Sequence, residues 1–242
     1  FLADHLRQAE VEDLHASAAF DQDVLRLDVA VHDAAIVREH DGAVVKTIGD
    51  AVMAFWGAPL EDAAHAERAV CAALAMQRTA RELSAAFVAK GWPPVAIGVG
   101  VNSGLMRVGD MGSQLRRAYT VMGDAVNLGS RLEGLTRAYG VDVLIGQDTR
   151  ERLPHWVCRE VDRVRVKGKQ VPVRIYEPLG PKEQVSEQQQ ALVAQWDQML
   201  SLVHHRNWSA ALSALDRLGH EDPGQALDVG VVVGFDGLAS GI

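Results

Sequence analysis

Cysteine, aromatic residues and long apolar runs are all scarce in this chain of 242 residues. Its two cysteines, Cys71 and Cys158, have neither metal-ligand spacing nor the pairing of a disulfide framework, which suits a reducing cytoplasm and two core thiols. No apolar stretch approaches the ~20 residues needed to span a bilayer, and no signal peptide opens the sequence. The formal net charge is -8, and no run of Lys and Arg interleaved with aromatics offers a nucleic-acid surface. Any phosphate bound here must therefore meet a few local cations. No Gly-x-Gly-x-x-Gly opens a helix after a strand and no Gly-x-x-x-x-Gly-Lys-Ser/Thr loop is present, so Rossmann and P-loop nucleotide sites are disfavoured. What remains is a hydrophobic content of 48%, enough to bury one substantial core and a small appendage. The chain starts at Phe1 without Met, and we expect a piece cut from a longer protein, with a sensor or membrane segment upstream.

Along the chain, Val24, Leu27, Val31 and Ala35 recur at helical spacing up to about His40, and Asp41-Gly42 supplies a stop. Two short apolar strands follow, around Gly49-Asp50, from Val44 to Phe55. After Pro59 an alanine-rich helix is expected from about Asp62 to Lys90, closed by Gly91 and Pro93-Pro94. The pattern then predicts strands at Val95 to Asn102 and Leu105 to Val108, a loop at Gly109-Asp110-Met111-Gly112-Ser113, and a strand at Arg117 to Val121. A helix from about Ala125 to Tyr139, a strand at Val141 to Ile145, a short helix near Thr149 and a hairpin of Val161 to Val166 with Val171 to Tyr176 complete the set. Alternating helices and hairpin-joined strands imply an α/β (α+β) sandwich, with helices on a mixed or antiparallel sheet. Beyond Pro181 a glutamine-rich segment to Arg206, then Asn207 as a cap and Trp208 to Leu218, read as a helical hairpin. That pair is similar to one unit of a tetratricopeptide repeat, but a single unit carries little weight and a structural hairpin packing on the domain is the favoured reading. The expected division is residues 1–180 as the main domain and 181–242 as a helical tail with a disordered end.

Two segments carry the chemistry. In Val44-Val45-Lys46-Thr47-Ile48-Gly49-Asp50-Ala51-Val52-Met53-Ala54-Phe55 an ammonium and a carboxylate flank one hairpin tip, where a carboxylate can face a ligand without burying an unpaired charge. By itself Gly-Asp is a good turn dipeptide, and Lys46 equally a solvated strand charge. In Tyr119-Thr120-Val121-Met122-Gly123-Asp124-Ala125-Val126-Asn127-Leu128-Gly129-Ser130-Arg131-Leu132-Glu133, Asn127 and Arg131 stand four apart on the expected helix and project from one face about a turn apart.

Together the two segments resemble the catalytic domain of class III nucleotidyl cyclases, over about Phe1 to Pro178 and most strongly from Gly42 onward. The resemblance implies a ferredoxin-like fold and conversion of a nucleoside triphosphate to its 3′,5′-cyclic monophosphate and pyrophosphate. Asp50 matches one of two aspartates that bind two divalent cations, Mg²⁺ or Mn²⁺. Asp4, in Phe1-Leu2-Ala3-Asp4, matches the other, although His5-Leu6-Arg7-Gln8 replaces the glycine-containing loop of the family. Lys46 and Thr120 match the pair that reads the purine; a lysine donor with a hydroxyl acceptor implies ATP, where guanine readers carry Glu and Cys. Asn127 matches the residue that orients the ribose, Arg131 the one that stabilises the transition-state phosphate, and Lys167 the one that holds the terminal phosphates.

A single hairpin can hardly reach from purine to triphosphate, yet Lys46 and Asp50 are four residues apart. The family resolves this with a head-to-tail homodimer, in which Asp4 and Asp50 of one chain face Lys46, Thr120, Asn127, Arg131 and Lys167 of the other. The expected protein is a cytoplasmic adenylate cyclase. The altered segment after Asp4 keeps open a degenerate cyclase-like domain that binds nucleotide or only dimerises. A diguanylate cyclase is set aside, since its Gly-Gly-Asp/Glu-Glu-Phe signature is missing.

Overall fold

The structure, a computed structural model, describes residues 32–48, 51–113, 116–165 and 171–220. In chain order these form α1 (32–39), β1 (Ala43–Ile48), β2 (Ala51–Phe55), α2 (His65–Ala89), β3 (Val99–Val101), β4 (Arg107–Ser113) and β5 (Arg116–Met122). They continue with α3 (Asp124–Tyr139), β6 (Val143–Gly146), α4 (Gln147–Glu151), β7 (Trp156–Val164), β8 (Val173–Pro181), α5 (Glu187–His204) and α6 (Trp208–His220).

A four-stranded sheet in the order β3-β6-β8-β7 forms the centre, with β3 and β6 parallel and the other pairs antiparallel. Strand β6 shows why helices cover both of its faces. Val143 and Ile145 pack with Ile36 and Val37 of α1 and with Val70, Ala73 and Met76 of α2, whereas Leu144 packs with Leu128 and Leu132 of α3. That is the two-residue alternation of a strand buried on both sides, so all four residues of β6 are apolar or Gly. Two hairpins, β1–β2 and β4–β5, lie outside this sheet as separate pairs, and β1 packs beside β5.

The approach of α3 to β3 depends on glycine. A side-chain carbon at Gly100 would fall 2.2 Å from the Gly129 carbonyl oxygen and 2.3 Å from the Glu133 nitrogen, so only bare backbone lets the helix lie this close. Gln77, buried on α2, donates through Nε2 to the carbonyls of Ile97 and Asp142, both at 2.9 Å, and fastens the chain entering β3 to the chain entering β6.

Some expectations need correction. Strand β3 is three residues long, not the stretch from Val95 to Asn102, because side chains of α2 take the backbone groups a ladder would need: Val95 N–H donates to Ser84 Oγ, and the Ile97 carbonyl accepts from Gln77. The segment Gly109 to Ser113 is not a loop but the second part of β4, in continuous register with β5 from Gly109↔Thr120 to Ser113↔Arg116. Pairing along the full partner strand overrides the weak strand propensity of its two glycines. The last hairpin is longer than its apolar pattern suggests, running from Trp156 and ending at Pro181.

The helical tail is present as α5 and α6. Ser186 caps α5 by a reciprocal capping box with Gln189, and Asn207 Oδ1 accepts from the Ala210 N–H at the start of α6. Trp196, Met199 and Ala214 form the small core between them. Both cysteines are free thiols, with Cys158 buried and its pKa pushed up to about 11 by burial.

Candidate active site

The site begins at the β1–β2 hairpin. Lys46 lies on β1, exposed and opposite Met53, where the register shifts between Val44 and Lys46. Ile48 pairs with Ala51, so Gly49 and Asp50 are the whole connection between the strands; their own conformation lies outside the described residues. Thr120, half-buried on β5, pairs with Gly109. The neighbouring Tyr119 ring meets Phe55 of β2 with centroids 6.2 Å apart, which seats β5 against the first hairpin. Lys46 and Thr120 therefore stand on adjacent strands.

From Thr120 the chain passes Val121 and Met122 into Gly123, which has φ 153° and so the freedom that favours glycine. A side chain there would also press on the Leu105 carbonyl at 3.1 Å. The Gly123 carbonyl accepts from the N–H groups of Val126 and Asn127, and α3 starts at Asp124. Leu128, Leu132 and Thr136 are buried on its inner side, which turns the exposed Asn127 and Arg131 outward together. One turn-and-helix unit thus links the residue proposed to read the base with the two proposed to act on ribose and phosphate.

Asp4 and Lys167, like Asp50, lie outside the described residues. In sequence Lys167 belongs to the connection between β7, which ends at Val164, and β8, which begins at Val173. Among the described residues no group of three or more His, Cys, Asp or Glu is arranged to hold a metal ion. Asp4 and Asp50, the metal ligands that the resemblance implies, carry hard carboxylate oxygens of the kind that suit Mg²⁺ or Mn²⁺. None of the described helices is long and apolar enough to cross a membrane.

The profile of the family described as the adenylate and guanylate cyclase catalytic domain matches residues 28–177. The chain belongs to this family. Adenylate cyclase 1 of Rhizobium meliloti is 36% identical over 146 residues, covering 60% of this chain and 22% of the relative. The cyclase chain therefore spans about a fifth of that curated relative's length. Among solved structures, the adenylyl cyclase CyaB from P. aeruginosa superposes with a TM-score of 0.63 at 29% identity, covering 73% of this chain and 91% of that one. The guanylyl cyclase Cya2 gives a TM-score of 0.58 at 30% identity, covering 67% and 83%. The fold is that of cyclase catalytic domains, and both base specificities occur among its neighbours.

Asn102, directly after β3, belongs to neither signature segment. Its Nδ2 donates to the carbonyl of Ala125 in the first turn of α3 at 3.0 Å. The signal available was an Asn between a strand and Ser103-Gly104, which points to a turn and not to a partner 23 residues away.

Proposed function

We propose that this domain is an adenylate cyclase, converting ATP to 3′,5′-cyclic AMP and pyrophosphate at sites shared between two copies of the chain. The observation that carries the reading is the placement of Lys46 and Thr120 on adjacent strands, continuous with the helix that turns Asn127 and Arg131 outward. Base choice rests on the first pair. The Lys46 ammonium is a donor for adenine N1 and the Thr120 hydroxyl an acceptor for the exocyclic amine, and a mismatched base would leave polar groups unpaired.

In the reaction the ribose 3′-oxygen forms a bond to the α-phosphorus, the bond from that phosphorus to the bridging oxygen of pyrophosphate breaks, and the 3′-hydroxyl proton is released. Asn127 orients the ribose by hydrogen bonding, which holds the attacking oxygen near its target. Arg131 meets the charge that grows on the phosphoryl oxygens, and Lys167 holds the terminal phosphates as they leave. Divalent cations held by Asp4 and Asp50 would supply Lewis acidity and charge neutralisation at the same phosphates.

The shared site is supported by the hairpin register: Ile48 pairs with Ala51, so in sequence Asp50 falls in the connection, four residues from Lys46. It is supported also by apolar exposure around the Gly123 turn, where Leu105 is 96% and Met122 57% exposed. The test is incubation of the purified chain with ATP or GTP and Mn²⁺, following cyclic nucleotide and pyrophosphate. Cyclic AMP in preference to cyclic GMP is the expected result. A folded dimer that binds ATP without turnover would establish the non-catalytic alternative instead.

A further inference from the structure

We propose that Asn102 is a positioning residue for the reacting end of the site, its side-chain amide fixing where the first turn of α3, and with it Asn127 and Arg131, sits along β3. The inference rests on the adenylate cyclase reading. Three observations lead to it. Helix α3 lies on a bare backbone surface: Gly100 touches the Gly129 carbonyl and Glu133, and Gly129 in turn lies toward Asn102 Cβ. Where it crosses β3 this contact has no side-chain ridge to index the helix along its axis, although further on Leu128 and Leu132 seat on Leu144 and Ile175. The hydrogen bond from Asn102 Nδ2 to the Ala125 carbonyl is directional and supplies that index.

The second observation is the other end of the same amide. Asn102 Oδ1 is buried without a hydrogen-bond partner, facing the α-carbon of Gly146, where a side-chain carbon would approach to 2.2 Å. A buried acceptor left unpaired costs about 1–3 kcal/mol, so a residue present for packing alone would be better as leucine, of nearly the same shape. The Ala125 carbonyl also fixes the amide's orientation, because the flipped amide would set oxygen against oxygen.

The third is leverage. Asn127 and Arg131 follow Ala125 by two and six residues on the same rigid helix and point away from the sheet. An axial slip of the first turn carries both with it, and misplacement by about 1 Å can cost ~100-fold in rate.

The experiment uses Asn102→Leu and Asn102→Asp in the whole chain. Leucine keeps the shape and loses the donor. Aspartic acid can donate to the Ala125 carbonyl only while protonated. Burial at this position, where Asn102 Oδ1 is already withdrawn from solvent, raises the introduced acid's pKa above its ordinary value. We expect Asn102→Leu to lower kcat by ~10–100-fold with KM for ATP little changed at every pH. Asn102→Asp should approach wild type at low pH and lose activity, relative to wild type, as pH rises. Hydrogen exchange at the amides of the first turn of α3 should accelerate in Asn102→Leu, and in Asn102→Asp only at the higher pH. Retained kcat in both variants, a loss confined to KM, or a flat pH ratio overturns the proposal. If the wild-type chain makes no cyclic AMP, the adenylate cyclase reading fails on its own. The exchange measurement still decides the seating: unchanged first-turn protection in both variants overturns it, and faster exchange supports it.

Discussion

The indole Nε1 of Trp196 donates to the main-chain carbonyl of Glu160 at 2.6 Å, at the point where β7 shifts register between Glu160 and Asp162. The tail helix α5 is thereby fastened to an irregularity of the central sheet. Beside it the buried Arg159 guanidinium lies 5.0 Å over the Trp196 ring and pairs with Glu177 Oε2 at 2.7 Å through Nη2 and 2.9 Å through Nε. A buried charge is tolerated here because two of its nitrogens donate to a carboxylate and the Trp196 ring covers its face.

Trp196→Ala is therefore expected to destabilise the whole chain by about 3–5 kcal/mol, a cavity-forming loss typical of a buried tryptophan. Trp196→Phe, which keeps a ring over Arg159 but leaves the Glu160 carbonyl without its donor, should cost about 1–3 kcal/mol. Urea unfolding measures both. A loss below about 0.5 kcal/mol for the alanine variant would show that the tail is not part of the domain's core.

Asp33 gives the pH dependence. Burial raises its carboxyl from 3.8 to about 6, against a smaller opposing effect of His32. Between those values the native state binds more protons than the unfolded chain, so this group's contribution falls as pH rises through that window and stays unfavourable above it. Asp33→Asn should accordingly raise the melting temperature at pH 7, with the advantage shrinking below pH 6 and gone near pH 4. An advantage that is the same at pH 4 and pH 7 would contradict the burial cost.

Much of this architecture is legible without coordinates, and what is not has a common cause. The β1–β2 hairpin, α2, α3 and the tail pair follow from local periodicity and punctuation: Gly42, Gly91, Gly140 and Asn207 stand where helices end or begin. The shortened β3 and extended β4 are set by partners far along the chain, Gln77 and Ser84 in one case and the whole of β5 in the other. The same holds for the site. Lys46 belongs to one short signature and Thr120, Asn127 and Arg131 to a second, and all four stand on the expected strands and helix. The contact of Asn102 with Ala125, and the glycines that admit α3 to β3, exist only once the chain has folded.

Asp50→Ala should abolish cyclic AMP formation while leaving the melting temperature nearly unchanged. In sequence Asp50 falls in the two-residue connection between Ile48 and Ala51, and turn positions of this kind usually contribute little to a buried core. Activity within about fivefold of wild type would remove Asp50 from the metal site. Asp4→Ala should be equally damaging, and a neutral result would place the second ligand elsewhere.

The double variant Lys46→Glu, Thr120→Cys inverts the donor and acceptor pattern offered to the base. We expect ATP turnover to fall and the ratio of cyclic GMP to cyclic AMP to rise, even though pocket shape is unchanged and total activity is low. A double variant that keeps the full wild-type preference for ATP would show that these two strands do not read the purine.

Complementation tests the sharing of sites between chains. Asp50→Ala chains lack a metal ligand and Arg131→Ala chains lack the cation for the transition state, so each alone should be nearly inactive. If the two residues serve one site from opposite chains, a mixed dimer gathers both lesions into one site and leaves the other intact. With random exchange about half the dimers are mixed, each with one good site of two, and roughly a quarter of wild-type activity should return. Mixing with verified subunit exchange and no recovery would mean that Asp50 and Arg131 act from the same chain. That outcome would require the β1–β2 hairpin of a single copy to serve base and metals together, which the Ile48↔Ala51 register gives it little room to do.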